Sequence, residues 1–151
     1  MRVVIQRVVR AEVRAEGELL GSIGRGAVLL VGIGRGDTPE LVERVADKVA
    51  GLRYFEDEAG VTNRALDPAS EAFLVISQFT LLADLRRGRR PGFAGAEAPE
   101  LATKLVDRFA ERLRASGYRV EAGRFGASME VELVNDGPFT LVIDSARDLA
   151  G

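Results

Sequence analysis

Asn135-Asp136-Gly137-Pro138-Phe139-Thr140 sits between two strongly β-like runs, Met129 to Val134 and Phe139 to Ile143. How this stretch is read decides the fold. Taken as residue types, Asn-Asp-Gly between two strands is a hairpin turn. Proline directly after the turn glycine argues against a tight two-residue hairpin, because it removes a ladder donor. Gly137 lacks a side chain, so its carbonyl can approach another molecule closely. Pro138 fixes φ, and an X-Pro bond is the common place for a cis peptide.

Working outward, Phe73-Leu74-Val75-Ile76 is an apolar run that reads as a buried strand, followed by Ser77-Gln78-Phe79-Thr80. Ala27 to Val31 is a second apolar run, bounded by Gly26 and Gly32, and reads as a central strand. Upstream, the segments 1–8, 11–16 and 18–23 are expected to form a meander, with period-two alternation in Ala11 to Glu16. Thr38-Pro39-Glu40 combines a capping hydroxyl, proline at the first helical position and a first-turn acid, so a helix is expected there, ending at Gly51. Leu52 to Phe55 reads as a short strand and Asp57 to Asp67 as loop. A second helix starts near Pro99, with Leu101, Leu105, Val106, Phe109 and Leu113 as its buried face and Gly117 as its stop. Tyr118 to Glu121 is a further strand, and the tail from Ser145 is expected to fray. Many strands around two main helices predict an α+β fold. One domain over 1–151 is expected, with a curled, barrel-like, mostly antiparallel or mixed sheet.

Composition narrows the chemistry. The chain has no cysteine and no histidine. Disulfides, thiolates and imidazole bases are therefore excluded, and no metal-ligand spacing is found among Asp57, Glu58, Asp67, Glu97 and Glu100. Those acids read as solvated surface, and no cofactor or metal is expected. Net charge is −2, so a globally basic nucleic-acid footprint is absent and RNA binding needs a local patch. The excess of arginine over lysine is read first as compositional bias. The one dense basic block is Arg86-Arg87-Gly88-Arg89-Arg90-Pro91-Gly92-Phe93 in an exposed loop running from Leu85 to Gly95. Its arginines suit phosphate and Phe93 suits base stacking, while a merely solvated loop is the plainer alternative. Gly32-Ile33-Gly34-Arg35-Gly36 falls one residue short of the dinucleotide fingerprint, and reads as turn chemistry. No run approaches the ~20 apolar residues of a membrane span, and the N-terminus lacks the pattern of a signal peptide. A cytoplasmic location without membrane contact is expected.

Asn135 to Thr140, Ser77-Gln78-Phe79-Thr80-Leu81, the N-terminal Ile5-Gln6-Arg7-Val8 and the stretch Gly123 to Met129 together resemble the signature segments of the D-aminoacyl-tRNA deacylases. The resemblance runs nearly end to end. It implies a homodimeric hydrolase that cleaves the ester of D-aminoacyl-tRNA, and glycyl-tRNA as a second substrate, in chiral proofreading during translation. It also implies roles for particular residues. Gly137 and Pro138, joined by a cis bond, reach into the partner subunit's site and select chirality. Arg7, beside Gln6, supports that loop. Arg90, Pro91 and Phe93 lie by the tRNA 3′ end, and Phe125 and Met129 wall the pocket. Phe139 stands where the family often has a smaller aliphatic residue.

Ser77, Gln78, Phe79 and Thr80 are the expected catalytic segment, acting as backbone and hydroxyl donors around the ester carbonyl. A Ser77 or Thr80 nucleophile is the enzymatic alternative, although an unactivated hydroxyl is weak and no imidazole is present. A non-catalytic module binding the tRNA 3′ end is the alternative from another class.

Overall fold

A computed structural model describes residues 1–150. The chain opens with one long strand, β1 (Arg2–Ala15), followed by β2 (Glu18–Ile23) and β3 (Gly26–Gly32). Helix α1 (Pro39–Gly51) leads through a small ribbon, β4 (Phe55–Glu56) and β5 (Thr62–Arg64), to β6 (Ala72–Ser77). A 3₁₀ turn (Phe79–Leu82), helix α2 (Pro99–Ala115), β7 (Arg119–Ala122), the long β8 (Met129–Asp144) and the short α3 (Ser145–Asp148) complete it.

Sequence chemistry sets the helix ends as expected. Thr38 Oγ1 accepts from Leu41 N at 3.2 Å, and proline occupies the first turn of both α1 and α2. Gly117 takes φ +95°, a left-handed conformation that ends α2 without a Cβ penalty.

The sheet is mixed and curled. β1 pairs antiparallel with β8 along nearly its whole length, with β3 through Arg2–Val8 and with β2 through Ala11–Ala15. β3 and β6 are parallel, as are β6 and β7, and helices α1 and α2 lie in the two crossovers that parallel neighbours require. The sheet nearly closes where β2 meets β7: Arg119 Nη2 donates to Ser22 O at 2.9 Å, and a Cβ on Gly21 would stand 3.2 Å from Glu121 Cβ.

Strand alternation divides the core in two. Val3, Ile5, Leu29, Phe73 and Val75 face the helices, packing on Val42, Val45, Val49, Leu105, Phe109 and Leu113. Val8, Val13, Val28, Leu74 and Ile76 point into the curl. Successive residues of a strand face opposite sides, so the apolar runs in β3 and β6 are buried on both.

Five expectations are corrected. The first two strand segments are one bent strand, β1. Leu101 is exposed, because the buried stripe of α2 begins at Ala102. Part of the 57–67 loop pairs as β5 against β4, closed by Asp57, whose carboxylate accepts from Ala59 N and Val61 N. The tail is tied down: the Met1 ammonium donates to Ser145 Oγ at 2.9 Å, and Ser145 N to Met1 O at 3.0 Å. Finally, Asn135–Thr140 joins no two neighbouring strands. It lies within β8, whose two halves both pair with β1.

Candidate functional site

β6 ends at Ser77, and its parallel ladder continues one bond further, Gln78 N donating to Val31 O at 2.8 Å. The chain then turns sharply through Phe79–Leu82 over the end of β3. Only glycine at position 32 admits this turn: a Cβ there would lie 2.9 Å from Gln78 O and 2.5 Å from Leu82 Cδ2. The N–H groups of Phe79 and Thr80 open the turn and make no hydrogen bond among the described residues, as expected of first-turn donors. The Gln78 side-chain amide donates to Thr80 Oγ1.

Beside this turn lies a cavity of about 740 Å³. Ser77, Gln78 and Phe79 form one wall, Phe93 and Ala96–Pro99 another, and Phe125–Ala127, Met129 and Val131 a third. Phe79 and Phe93 meet edge to face, with ring centroids 5.1 Å apart. Gly123 leaves room for Met129, whose Sδ would stand 2.5 Å from a Cβ at that position. Two ionisable groups line the cavity, Arg35 and Glu97. Glu97 is not the solvated acid expected from sequence. Its two oxygens accept from Gly36 N at 3.3 Å and Ala98 N at 2.8 Å, joining the β3–α1 loop to the start of α2.

The structure thus gathers Ser77, Gln78, Phe79, Phe93, Phe125 and Met129 around one space. Thr80, Arg90 and Pro91 stand outside its lining, as do Gln6, Arg7, Gly137 and Pro138. Arg35, Glu97, Ala98 and Pro99 were not singled out as site residues. Arg35 sat in a glycine cluster read as a turn, and the bridge Gly34↔Ala96 that brings these segments together leaves no local signal.

The second locus is the tip in β8. Gln6 pairs with Thr140 and Val8 with Asn135, so Arg7 alone faces Asp136, Gly137, Pro138 and Phe139. The Gly137-Pro138 bond is cis, and both residues are exposed. Arg7 is 4% exposed and holds the tip's base. Its Nη1 donates to Tyr54 O at 2.7 Å and its Nε to Asp136 O at 3.1 Å, and its guanidinium carbon lies 4.5 Å from the centre of the Phe139 ring. Arg25 Nη2 reaches the Asp136 carboxylate at 3.4 Å.

Comparison with known proteins places these segments in context. The family model described as D-Tyr-tRNA(Tyr) deacylase matches residues 4–144. Proteins named D-aminoacyl-tRNA deacylase from Symbiobacterium thermophilum and Thermomicrobium roseum are each 56% identical over 147 residues, covering 97% of this chain and 97% and 96% of theirs. Among solved structures, the c-Myc DNA Unwinding Element Binding Protein superposes with a TM-score of 0.89 at 39% identity, covering 96% of this chain and 99% of the other. A probable eukaryotic D-amino acid tRNA deacylase superposes with a TM-score of 0.80 at 17% identity, covering 94% and 97%, and speaks to fold alone.

Proposed function

The chain belongs to the D-Tyr-tRNA(Tyr) deacylase family, and from that membership we propose how its two loci divide the work of a hydrolase acting on D-aminoacyl-tRNA. The substrate is the ester between an amino acid and the 3′-terminal adenosine. The cavity beside Ser77–Phe79 takes that end. The exposed faces of Phe79 and Phe93 pack against the base, Phe125 and Met129 wall the space, and Arg90 and Pro91 lie beside the approaching strand. The unpaired N–H groups of Phe79 and Thr80 stabilise negative charge developing on the ester oxygen. Such fixed donors are typically worth about 3 kcal/mol each.

One observation carries this division: the cavity is complete on three sides, yet the chain's own Gly137 and Pro138 stand outside it. A homodimer with two-fold symmetry brings the tip of one subunit to the cavity of the other. Val134 and Val142 of β8, exposed in the single chain, offer apolar surface for such a contact. There the carbonyls of Gly137 and Pro138 accept hydrogen bonds from the substrate ammonium. With ammonium and ester both fixed, the two enantiomers send their side chains in opposite directions. One direction is open. The other meets main-chain atoms, which cannot step aside as a side chain can. Glycine, having no side chain, passes, so glycyl-tRNA is a second substrate.

The ribose 2′-hydroxyl beside the ester supplies the remaining assistance. Positioning and oriented donors then suffice for an already reactive ester, without an imidazole. Both oxygens of the Glu97 carboxylate already accept from backbone N–H groups.

Release of amino acid from matched D- and L-aminoacyl-tRNA tests the reading. D-ester and glycyl-ester turnover with L-ester rejection is expected, and binding without turnover would leave an RNA-end binding module instead. A tRNA ending in 2′-deoxyadenosine should be cleaved far more slowly. Equal rates would remove the 2′-hydroxyl from the mechanism. An acyl-enzyme trapped on Ser77 or Thr80 would replace it with covalent catalysis.

A further inference from the structure

Most arginines of this chain are engaged. Arg2, Arg10, Arg14, Arg64, Arg108, Arg112, Arg119, Arg124 and Arg147 each meet a carboxylate. Arg7 and Arg25 converge on Asp136, Arg114 reaches Glu111, and Arg44 donates to Leu149 O. Among the described residues, Arg35, Arg53, Arg87, Arg89 and Arg90 form neither an ion pair nor a side-chain hydrogen bond. Four of these five lie either on the cavity lining or on the loop that runs into its wall. Arg35 lines the cavity. Arg87, Arg89 and Arg90 occupy a loop whose ends are joined by Asp84 N to Gly92 O at 2.7 Å and Gly92 N to Asp84 O at 3.0 Å, and Phe93 of the cavity wall follows directly.

Within the loop the charges are not equivalent. Asp84 takes Arg86 Nε at 2.9 Å and Nη2 at 2.7 Å, so that guanidinium is neutralised in place. The hydrogen bonds from Arg86 hold the Asp84 carboxyl far below the usual carboxylate range. From Leu85 to Gly95 there is no other acid. Glu97, the next along the chain, already accepts two backbone donors. The loop that leads into the cavity wall therefore carries three arginines with no carboxylate partner, on a chain whose net charge is −2.

We infer that Arg87 and Arg89 contact backbone phosphates of the tRNA acceptor strand, upstream of the terminal adenosine, and that Arg86 does not. The inference rests on the reading of the cavity as the site for the aminoacylated 3′ end. Guanidinium forks match phosphate geometry, and these two lie on the loop that leaves the wall beside the base-stacking pair. Such contacts carry no sequence information. They hold many different tRNAs alike and leave the handedness of the amino acid to the cavity.

The test is binding of uncharged tRNA to the full-length protein across a potassium chloride series. Each phosphate contact contributes roughly 0.7 to the slope of log affinity against log salt for single strands. R87Q/R89Q should therefore flatten that slope by about 1.4, so that between 50 and 200 mM salt the wild type loses roughly sevenfold more affinity than the variant. R108Q, on the α1–α2 face, should keep the wild-type slope. In turnover, the ratio of kcat/KM for D-aminoacyl-tRNA over D-aminoacyl-adenosine should fall in R87Q/R89Q. An unchanged salt slope overturns the inference, as does an equal loss on both substrates. Hydrolysis is read separately: a protein that binds uncharged tRNA with the steep slope but leaves the D-ester intact keeps these contacts and loses the proposed function.

Discussion

Arg7 and Asp136 are joined twice. The Arg7 guanidinium donates from Nε to the Asp136 carbonyl at 3.1 Å and faces its carboxylate at 3.3 Å. The same buried group donates to Tyr54 O, so one side chain ties the tip of β8 to the segment after α1. Replacing Arg7 by Met should leave two carbonyls without their charged donor and cost about 3 kcal/mol. Arg7→Lys should recover only part of this, because an ammonium cannot reproduce the planar fork. Urea denaturation of the three proteins measures it. A loss below about 1 kcal/mol in Arg7→Met would show that the tip does not depend on this anchor.

Gly32 and Gly34 flank the same turn and should respond differently to a methyl group. At position 32 the added Cβ meets Gln78 O, Leu81 Cβ and Leu82 Cδ2, the first and last under 3.0 Å. At position 34 the nearest atom is Asp37 Oδ2 at 3.4 Å, an ordinary contact. Gly32→Ala should therefore displace the Phe79–Leu82 turn. D-ester hydrolysis should fall at least tenfold, since small misplacements of positioning groups are costly. Gly34→Ala should stay near wild type. Equal activity of the two variants would separate the turn from the chemistry.

Glu71 anchors the loop that enters β6. Burial pushes its carboxyl up, but the Arg64 fork, with both contacts at 2.8 Å, and the Asp67 N–H outweigh that and hold it below the ordinary value of 4.5. A depressed carboxylate stabilises the fold above its unfolded pKa, and that stabilisation is lost as pH falls through the folded value. Glu71→Gln should cost about 2 kcal/mol at pH 7, and the gap between the two proteins should shrink as pH drops below about 4. Denaturation midpoints at pH 7 and pH 3.5 check this, and a gap that widens in acid would contradict it.

Tyr54 is 1% exposed and its hydroxyl has no hydrogen-bond partner among the described residues. Burial, with the nearby Glu71 charge, pushes the phenol well above its ordinary pKa, so it stays neutral. Its backbone carbonyl, not its side chain, serves Arg7. Tyr54→Phe should thus keep the anchor and remove an unsatisfied polar group, raising stability by about 1 kcal/mol and Tm by roughly 2–4 °C. A thermal melt decides it, and a lower Tm would reveal a partner for the hydroxyl.

Much of this architecture was legible because its signals are local. Thr38-Pro39 and Pro99 announce the helices, and the apolar runs of β3 and β6 announce strands buried on both faces. Ser77–Phe79, Phe93, Phe125 and Met129, carried over from family resemblance, do converge on one cavity. What escaped was pairing. Nothing local in Met129–Val134 and Phe139–Ile143 says that both belong to one strand laid along β1, and so the tip read as a hairpin turn. Arg35, Glu97 and Pro99 join the site through contacts between loops far apart in sequence. A helical stripe fixes spacing but leaves its first member free, so sequence alone does not separate Leu101 from the buried face that begins at Ala102. Nothing local at Ser145 signals order, because the Met1 ammonium that holds it lies at the other end of the chain.

The opposition of one residue on β1 to four on β8 has a consequence for variation in length. The ladder resumes on either side, at Gln6–Thr140 and at Val8–Asn135 with a further bulge at Val9, so the excursion between them behaves as a cantilever clamped at its two roots. Adding or removing a residue at its apex alters how far it projects without shifting any residue of the barrel. The same change in β1 between Gln6 and Val8 would turn every following side chain over.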